Sequence, residues 1–151
     1  VAMVPRHYIV RTSWVVGDGH NFVRTMLSMA EQGMNPSVVD DQFGRLTFTT
    51  ELARAIRYLT ETRAEYGIYN VTGSGTVHSW ADIARQVFVI SGHDPERITS
   101  VSTEEYLAMV PGPIAPRPRN SVLDVDKILG IGFTPADADE SLRAYINGLK
   151  S

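Results

Sequence analysis

The sequence contains no cysteine, which excludes disulfides and thiolate metal sites and fits a reducing cytoplasm. Lysine is almost as scarce. Only Lys127 and Lys150 occur, and neither completes a Tyr-x-x-x-Lys pattern. The chain therefore carries no tyrosine acid whose phenol pKa is lowered by a lysine one helical turn away. No apolar stretch approaches the ~18 residues of a transmembrane span, and Val1 to Tyr8 lack the charged-then-apolar layout of a signal peptide. Position 1 is Val rather than an initiator Met, which fits a chain cut from something longer. A net charge of −3 with scattered basic residues leaves no footprint for nucleic acid, Arg117 and Arg119 forming only a local basic spot.

Several site patterns are missing too. The four histidines, His7, His20, His78 and His93, show no H-x3-H or H-E-x-x-H spacing, so no zinc site is expected. The nucleophile elbow G-x-S-x-G is absent. Gly17-Asp18-Gly19 and Gly73-Ser74-Gly75 each begin a G-x-G-x-x-G pattern, but Phe22 and His78 stand where the third glycine belongs. A tight turn is the better reading of the second pair, because the helix after it starts later, at its own Ser79 cap. Asp40 and Asp41, adjacent on a strand, point to opposite faces and make a poor cation site.

What is present describes one α/β domain. The 151 residues, 43% apolar and 21% charged, suffice for a single core. His7 to Val16 reads as one buried strand, since β-branched residues dominate and no helical period fits. Asn21 caps a helix carrying Phe22, Val23, Met26, Leu27 and Ala30, which Gly33 stops. Strands are predicted at 37–41, 67–72 and 98–102. A helix from Thr50 places Leu52, Ala53, Ile56 and Leu59 on one face. Ser79 and Asp82 have capping-box spacing ahead of a stripe of Trp80, Ile83, Ala84, Val87 and Phe88. A short helix covers Thr103 to Met109. Val110 to Pro118 holds four of the eight prolines and reads as an irregular crossing. A helical turn at 124–129 precedes a closing helix marked by Leu142, Tyr145, Ile146 and Leu149. The alternation argues for α/β with partly parallel strands and flanking helices.

The run Ile9-Val10-Arg11-Thr12-Ser13-Trp14-Val15-Val16-Gly17 is the most telling stretch. A strand gives way to small hydroxyls, a tryptophan and glycines, as where open α/β sheets place ligands. Trp14 reads either as core, with its indole N–H tied to a carbonyl, or as a ligand-facing wall. Gln42 and Arg45 read either as ligand contacts or as residues stitching their own loop. Arg117, between Pro116 and Pro118, offers a planar fork for phosphate oxygens on a stiffened backbone.

Four ordered segments carry a family resemblance. The opening IVRTSWVVG is similar to the segment after the catalytic tyrosine and lysine of dTDP-4-dehydrorhamnose reductases, a branch of the extended short-chain dehydrogenase/reductase family. VVDDQFGRLTFTTELARAI (38–56) resembles that family's VVDDQ-x-G-R-P-T segment. GIYNVTGSGTVHSWADIARQVF (67–88) resembles its GIYN-x-TG and SW-x-(D/E)-x-A segments. TEEYLAM (103–109) with APRPRNSVLDVDK (115–127) resembles its T-x-E-Y and RP-x-NS-x-LD-x-x-K stretches. Val16 stands where Tyr is common, Leu46 replaces a usual Pro, and the last helix lacks a tryptophan frequent in the family.

The resemblance implies the following. The whole of 1–151 would be the carboxyl-terminal, sugar-nucleotide-binding portion of an extended Rossmann-type reductase. The amino-terminal Rossmann half, with glycine fingerprint, tyrosine and lysine, would be absent. The parent would reduce dTDP-4-dehydro-L-rhamnose with NADPH, or NADH in some members, for polysaccharide biosynthesis. Ser13 would border the cofactor's nicotinamide, and Trp14 the sugar. Gln42, Arg45 and Arg117 would face the nucleotide or diphosphate of a dTDP-linked deoxy-sugar. No catalytic residue falls inside the chain, so the piece itself should have no turnover and hold no cofactor alone. A parent fused to an epimerase and a homo-oligomer remain open, as do a non-catalytic regulatory subunit and a reductase or epimerase for another nucleotide sugar.

Overall fold

The predicted strand over 7–16 breaks in the middle. In the computed structural model, which describes residues 4–112 and 114–149, β1 spans Tyr8–Arg11 and β2 spans Val15–Val16. Between them Trp14 adopts φ +48°, a left-handed conformation that a bulky residue adopts only under constraint. Periodicity could not show this kink, because the apolar pattern continues through it.

The remaining elements follow the expected order. Helix α1 (Phe22–Glu31) starts on Asn21, whose side chain accepts from the Arg24 amide, and Gly33 at φ +74° turns the chain away. Strand β3 is Ser37–Val39. Between β3 and the next helix lie two short strands that the sequence did not predict, β4 (Phe43–Gly44) and β5 (Thr47–Phe48). Helix α2 (Thr49–Glu61) buries Glu51, Ala55 and Leu59. This corrects the predicted face: Leu52 is half-buried, while Ala53 and Ile56 point outward. The physical reason is Glu51. Its carboxylate accepts from Arg54 Nη2 at 2.6 Å and from the Ala136 amide at 2.9 Å, so a satisfied ion turns inward and rotates the helix.

Strand β6 is Gly67–Asn70 and β7 is His78–Ser79, leading directly into α3 (Trp80–Ser91). The capping box forms, with Ser79 Oγ accepting from the Asp82 amide and Asp82 Oδ2 accepting from the Ser79 amide. Strand β8 (Thr99–Val101), α4 (Thr103–Met109), α5 (Asp126–Gly130) and α6 (Ala138–Leu149) complete the order. The crossing at 110–118 is irregular where described; Pro113 lies outside the described residues, as do residues 1–3, 150 and 151.

Among the described residues the strands form four two-stranded pairs. β1–β6, β2–β5 and β3–β8 are parallel, and β4–β7 is antiparallel. Two apolar clusters result. The larger joins α1, α3, α6 and β5 through Val23, Met26, Phe48, Val87, Phe88, Leu142 and Ile146. The smaller packs α2 and α5 on one face of β6, through Ala55, Leu59, Tyr69, Ile128 and Phe133, with Tyr8 and Val10 of β1 against it. Alternation along both strands puts Ile9 and Ile68, paired in register, on the opposite face, where Ile68 is 40% exposed. No helix is long and apolar enough to cross a membrane among the described residues.

Candidate functional site

The kink at Trp14 and the strand β4 build one surface together. The Trp14 carbonyl accepts from the Thr47 amide at 3.0 Å, which anchors the kink to β5. The indole stacks on Trp80, ring centroids 3.7 Å apart and planes 17° from parallel, with Phe22 tilted against Trp80 at 4.6 Å. Gly44 lies against the same indole, so close that a Cβ there would stand 2.7 Å from Cε2. Glycine at 44 is therefore required by close approach, with no help from an unusual φ.

Segment 119–121 runs beside this cluster. The Phe43 amide donates to the Arg119 carbonyl, and the Ser121 amide donates to the Phe43 carbonyl, each at 2.8 Å. Ser13 Oγ donates to the Ser121 carbonyl at 2.9 Å. Ser13, Trp14, β4 and segment 119–121 are thus brought into one place. Their sequence separation exceeds one hundred residues, and backbone pairing closes it.

The other candidates are divided between internal and outward roles. Gln42 is buried, and its Nε2 donates to Thr103 Oγ1 at 3.0 Å. Its Oε1 has no partner and is not enclosed, since Thr47 and Thr72 hold the only buried unpartnered side-chain atoms among the described residues. Arg45 donates from Nε to the Gly75 carbonyl at 2.8 Å, stitching two loops, and its two terminal nitrogens make no hydrogen bond among the described residues. Arg117 is exposed and makes no ion pair or hydrogen bond among the described residues.

Trp80, Gly44, Asp41 and Thr103 support this surface through packing and hydrogen bonds that the sequence did not single out. Trp80 was legible only as part of a helix stripe, and Gly44 only as a loop glycine. Asp41 takes hydrogen bonds from the Thr103 hydroxyl and amide and faces Arg119 Nη2 at 3.8 Å. These partners, the Thr103 hydroxyl foremost, hold its carboxyl below the usual carboxylate range. Asp41 and Gln42 thereby share Thr103, joining β4 to the start of α4.

Three of the four glycines in the two pairs are needed for close packing. A Cβ on Gly75 would collide with the Asp137 carboxylate, one on Gly73 with the Leu46 carbonyl, and one on Gly17 with the Thr49 side chain. Phosphates need open amides there, and a carboxylate would repel them. The tight-turn reading of 73–75 agrees with this geometry.

Comparison with known proteins supplies the family. The model described as "RmlD substrate binding domain" matches residues 1–151. The spore coat polysaccharide biosynthesis protein SpsK of Bacillus subtilis is 42% identical over 139 residues, covering 91% of this chain and 46% of that protein. A dTDP-4-dehydrorhamnose reductase from Clostridium acetobutylicum superposes with TM-score 0.86 at 36% identity, over 99% of this chain and 51% of that one. The Bacillus anthracis dTDP-4-dehydrorhamnose reductase, solved in complex with NADP, gives TM-score 0.79 at 31% identity, over 95% and 48%. The chain spans about half the length of the curated relatives it matches. On a match that covers its full length, this chain belongs to the RmlD substrate binding domain family.

Proposed function

We propose that this chain is the sugar-nucleotide-binding portion of an NADPH-dependent dTDP-4-dehydrorhamnose reductase. The observation that carries the reading is the backbone pairing that brings Ser13, Trp14 and β4 beside segment 119–121, with Gln42 and Arg45 flanking β4 in sequence and Arg117 two residues ahead of that segment. Two arginine forks suit a diphosphate, and amide and indole edges suit hydroxyls. The relatives are named for reduction of dTDP-linked keto-sugars or for polysaccharide biosynthesis.

In this reading the chain binds and orients the substrate while another half of the polypeptide performs the chemistry. The cofactor supplies a hydride in the whole enzyme. The sequence completes no G-x-G-x-x-G pattern and has no Tyr-x-x-x-Lys, so in this reading cofactor binding and the proton donor belong to the other half. Support for a missing half comes from β1. Among the described residues it pairs with β6 on one edge only, and Ile9 and Ile68 face outward beside it. A further strand along β1 and an apolar cover would complete that sheet.

The test is titration of the 151-residue chain with dTDP-L-rhamnose, followed by calorimetry and amide NMR. Shifts at 11–16, 42–45 and 117–121 are expected. Arg117→Ala should weaken binding about tenfold, as loss of a charge-assisted contact does. A folded chain showing no shift in these segments at millimolar ligand would rule the assignment out. A measured carbonyl-reducing activity of the isolated chain would overturn the division of labour.

A further inference from the structure

We propose that Asp41 is the residue that positions Arg117, because its one carboxylate holds both ends of the segment 103–119 in which Arg117 lies. This rests on the sugar-nucleotide reading above and adds to it a residue that need not touch the ligand. One oxygen, Oδ1, accepts from the Thr103 amide at 3.0 Å and also from the Thr103 hydroxyl. The other, Oδ2, faces Arg119 Nη2 at 3.8 Å. Two points far apart in sequence thus meet at one side chain. The backbone on either side repeats the arrangement. The Asp40 amide donates to the Val101 carbonyl, just ahead of the segment, at 3.0 Å. The Phe43 amide donates to the Arg119 carbonyl, at its end, at 2.8 Å.

Between these anchors little else holds the segment. From Ser102 to Asn120 no described residue is buried. Among the described residues, 104–118 make no hydrogen bond or ion pair to the body of the chain. Their bonds stay within α4 and its capping box, where Glu105 accepts from the Ser102 amide and hydroxyl. That engagement keeps the Glu105 carboxylate from competing for the Thr103 donors. The Thr103 amide, first in α4, has no acceptor inside the helix, so Asp41 satisfies a donor that the helix leaves over. A segment with so few buried contacts takes its placement from its ends.

Arg119 passes that placement to Arg117. Only Pro118 separates them. Its ring fixes φ near about −65° and confines the preceding residue, Arg117, to extended backbone. Pro116 stiffens the other side. The Arg117 backbone therefore moves with Arg119 and not independently of it. The Asp41–Arg119 pair is open to solvent on the arginine side, which keeps its own contribution modest. The two bonds to Thr103 supply the larger share.

Calorimetric titration of the 151-residue chain with dTDP-L-rhamnose tests this. Asp41→Ala should raise Kd about three- to tenfold, the range of one hydrogen bond lost. Asp41→Asn keeps a carbonyl oxygen for Thr103 and gives up the attraction for Arg119, so it should recover most of that loss. The decisive comparison is made in Arg117→Ala. There Asp41→Ala should change Kd less than about twofold, because the group it positions is gone. An Asp41 that only stabilises the fold would give the same factor in both backgrounds, and that result overturns the inference. Wild-type affinity in a folded Asp41→Ala overturns it as well. If Asp41→Ala does not fold, Thr103→Val takes its place in the cycle, with about a two- to fivefold effect expected in wild type and none in Arg117→Ala. If wild type does not bind, or Arg117→Ala binds as wild type does, the sugar-nucleotide reading of Arg117 fails and takes this inference with it.

Discussion

Trp14 combines a costly left-handed backbone with two favourable constraints that hold it, a ring packed against Trp80 and Gly44 and a carbonyl tied to Thr47. Left-handed geometry for a non-glycine residue costs on the order of 1–3 kcal/mol and tends to mark sites where orientation matters. Gly44 makes this arrangement possible. Gly44→Ala should lower stability by about 1–3 kcal/mol through overpacking against a ring that cannot move aside. Denaturant unfolding and the near-ultraviolet circular dichroism of the tryptophan pair check this; an unchanged midpoint and spectrum would contradict it. Thr103 is the second pivotal residue. Its hydroxyl is the chief reason the Asp41 carboxyl lies below its ordinary value. A depressed carboxylate stabilises the fold above the unfolded-state pKa, about 4, and that contribution disappears as pH falls through the folded-state value. Thr103→Val should raise the Asp41 pKa in a carboxyl-carbon NMR titration, yet leave it below the ordinary value, because the Thr103 amide and Arg119 remain. Acid unfolding of the variant should begin at a higher pH.

At the level of elements, agreement between pattern and structure follows local causes. Helices α1 and α3 appear where their caps and stripes place them, because a cap is a matter of three or four neighbouring residues. Ser79→Ala should cost about 1 kcal/mol in thermal or denaturant unfolding. It should also disturb Trp80, the next residue, which an ordinary surface cap would not do. Helix α2 shows the limit. Its buried face follows from Glu51 reaching Arg54 and the Ala136 amide, a partner 85 residues away, and hydrophobic periodicity alone turned the helix outward by Ala53 and Ile56. Strands β4 and β5 were hidden for a similar reason: each is two residues long and exists only through pairing with β7 and β2. Helix α6 is held at its far side by Tyr145. Its hydroxyl donates to the Gly17 carbonyl at 2.7 Å and accepts from Asn21 and Arg24, closing the loop after β2 against α1.

For the whole molecule, the decisive feature is the β1–β6 pair. A two-stranded parallel ribbon is a weak unit, and this one has, among the described residues, an open edge on β1 and an outward face bearing Ile9 and Ile68. The isolated chain should therefore self-associate or unfold with a low midpoint, as read by sedimentation velocity and calorimetry over a concentration series. A monodisperse monomer of high thermal stability would show that this half closes its own core and needs no further strand.

Composition, caps and motif order by themselves determined the α/β class, the family resemblance, the absence of a Tyr-x-x-x-Lys centre and the starts of the main helices. Each depends on residue identity or on neighbours within a turn of helix. The tertiary structure alone decided that residues 8–16 are two strands around a kink, that Gln42 and Arg45 turn part of their hydrogen bonding inward, and that Trp14 is gripped between Gly44 and Trp80. Those outcomes depend on distant segments competing for the same space and the same hydrogen bonds. Such competition is settled only when the chain closes on itself.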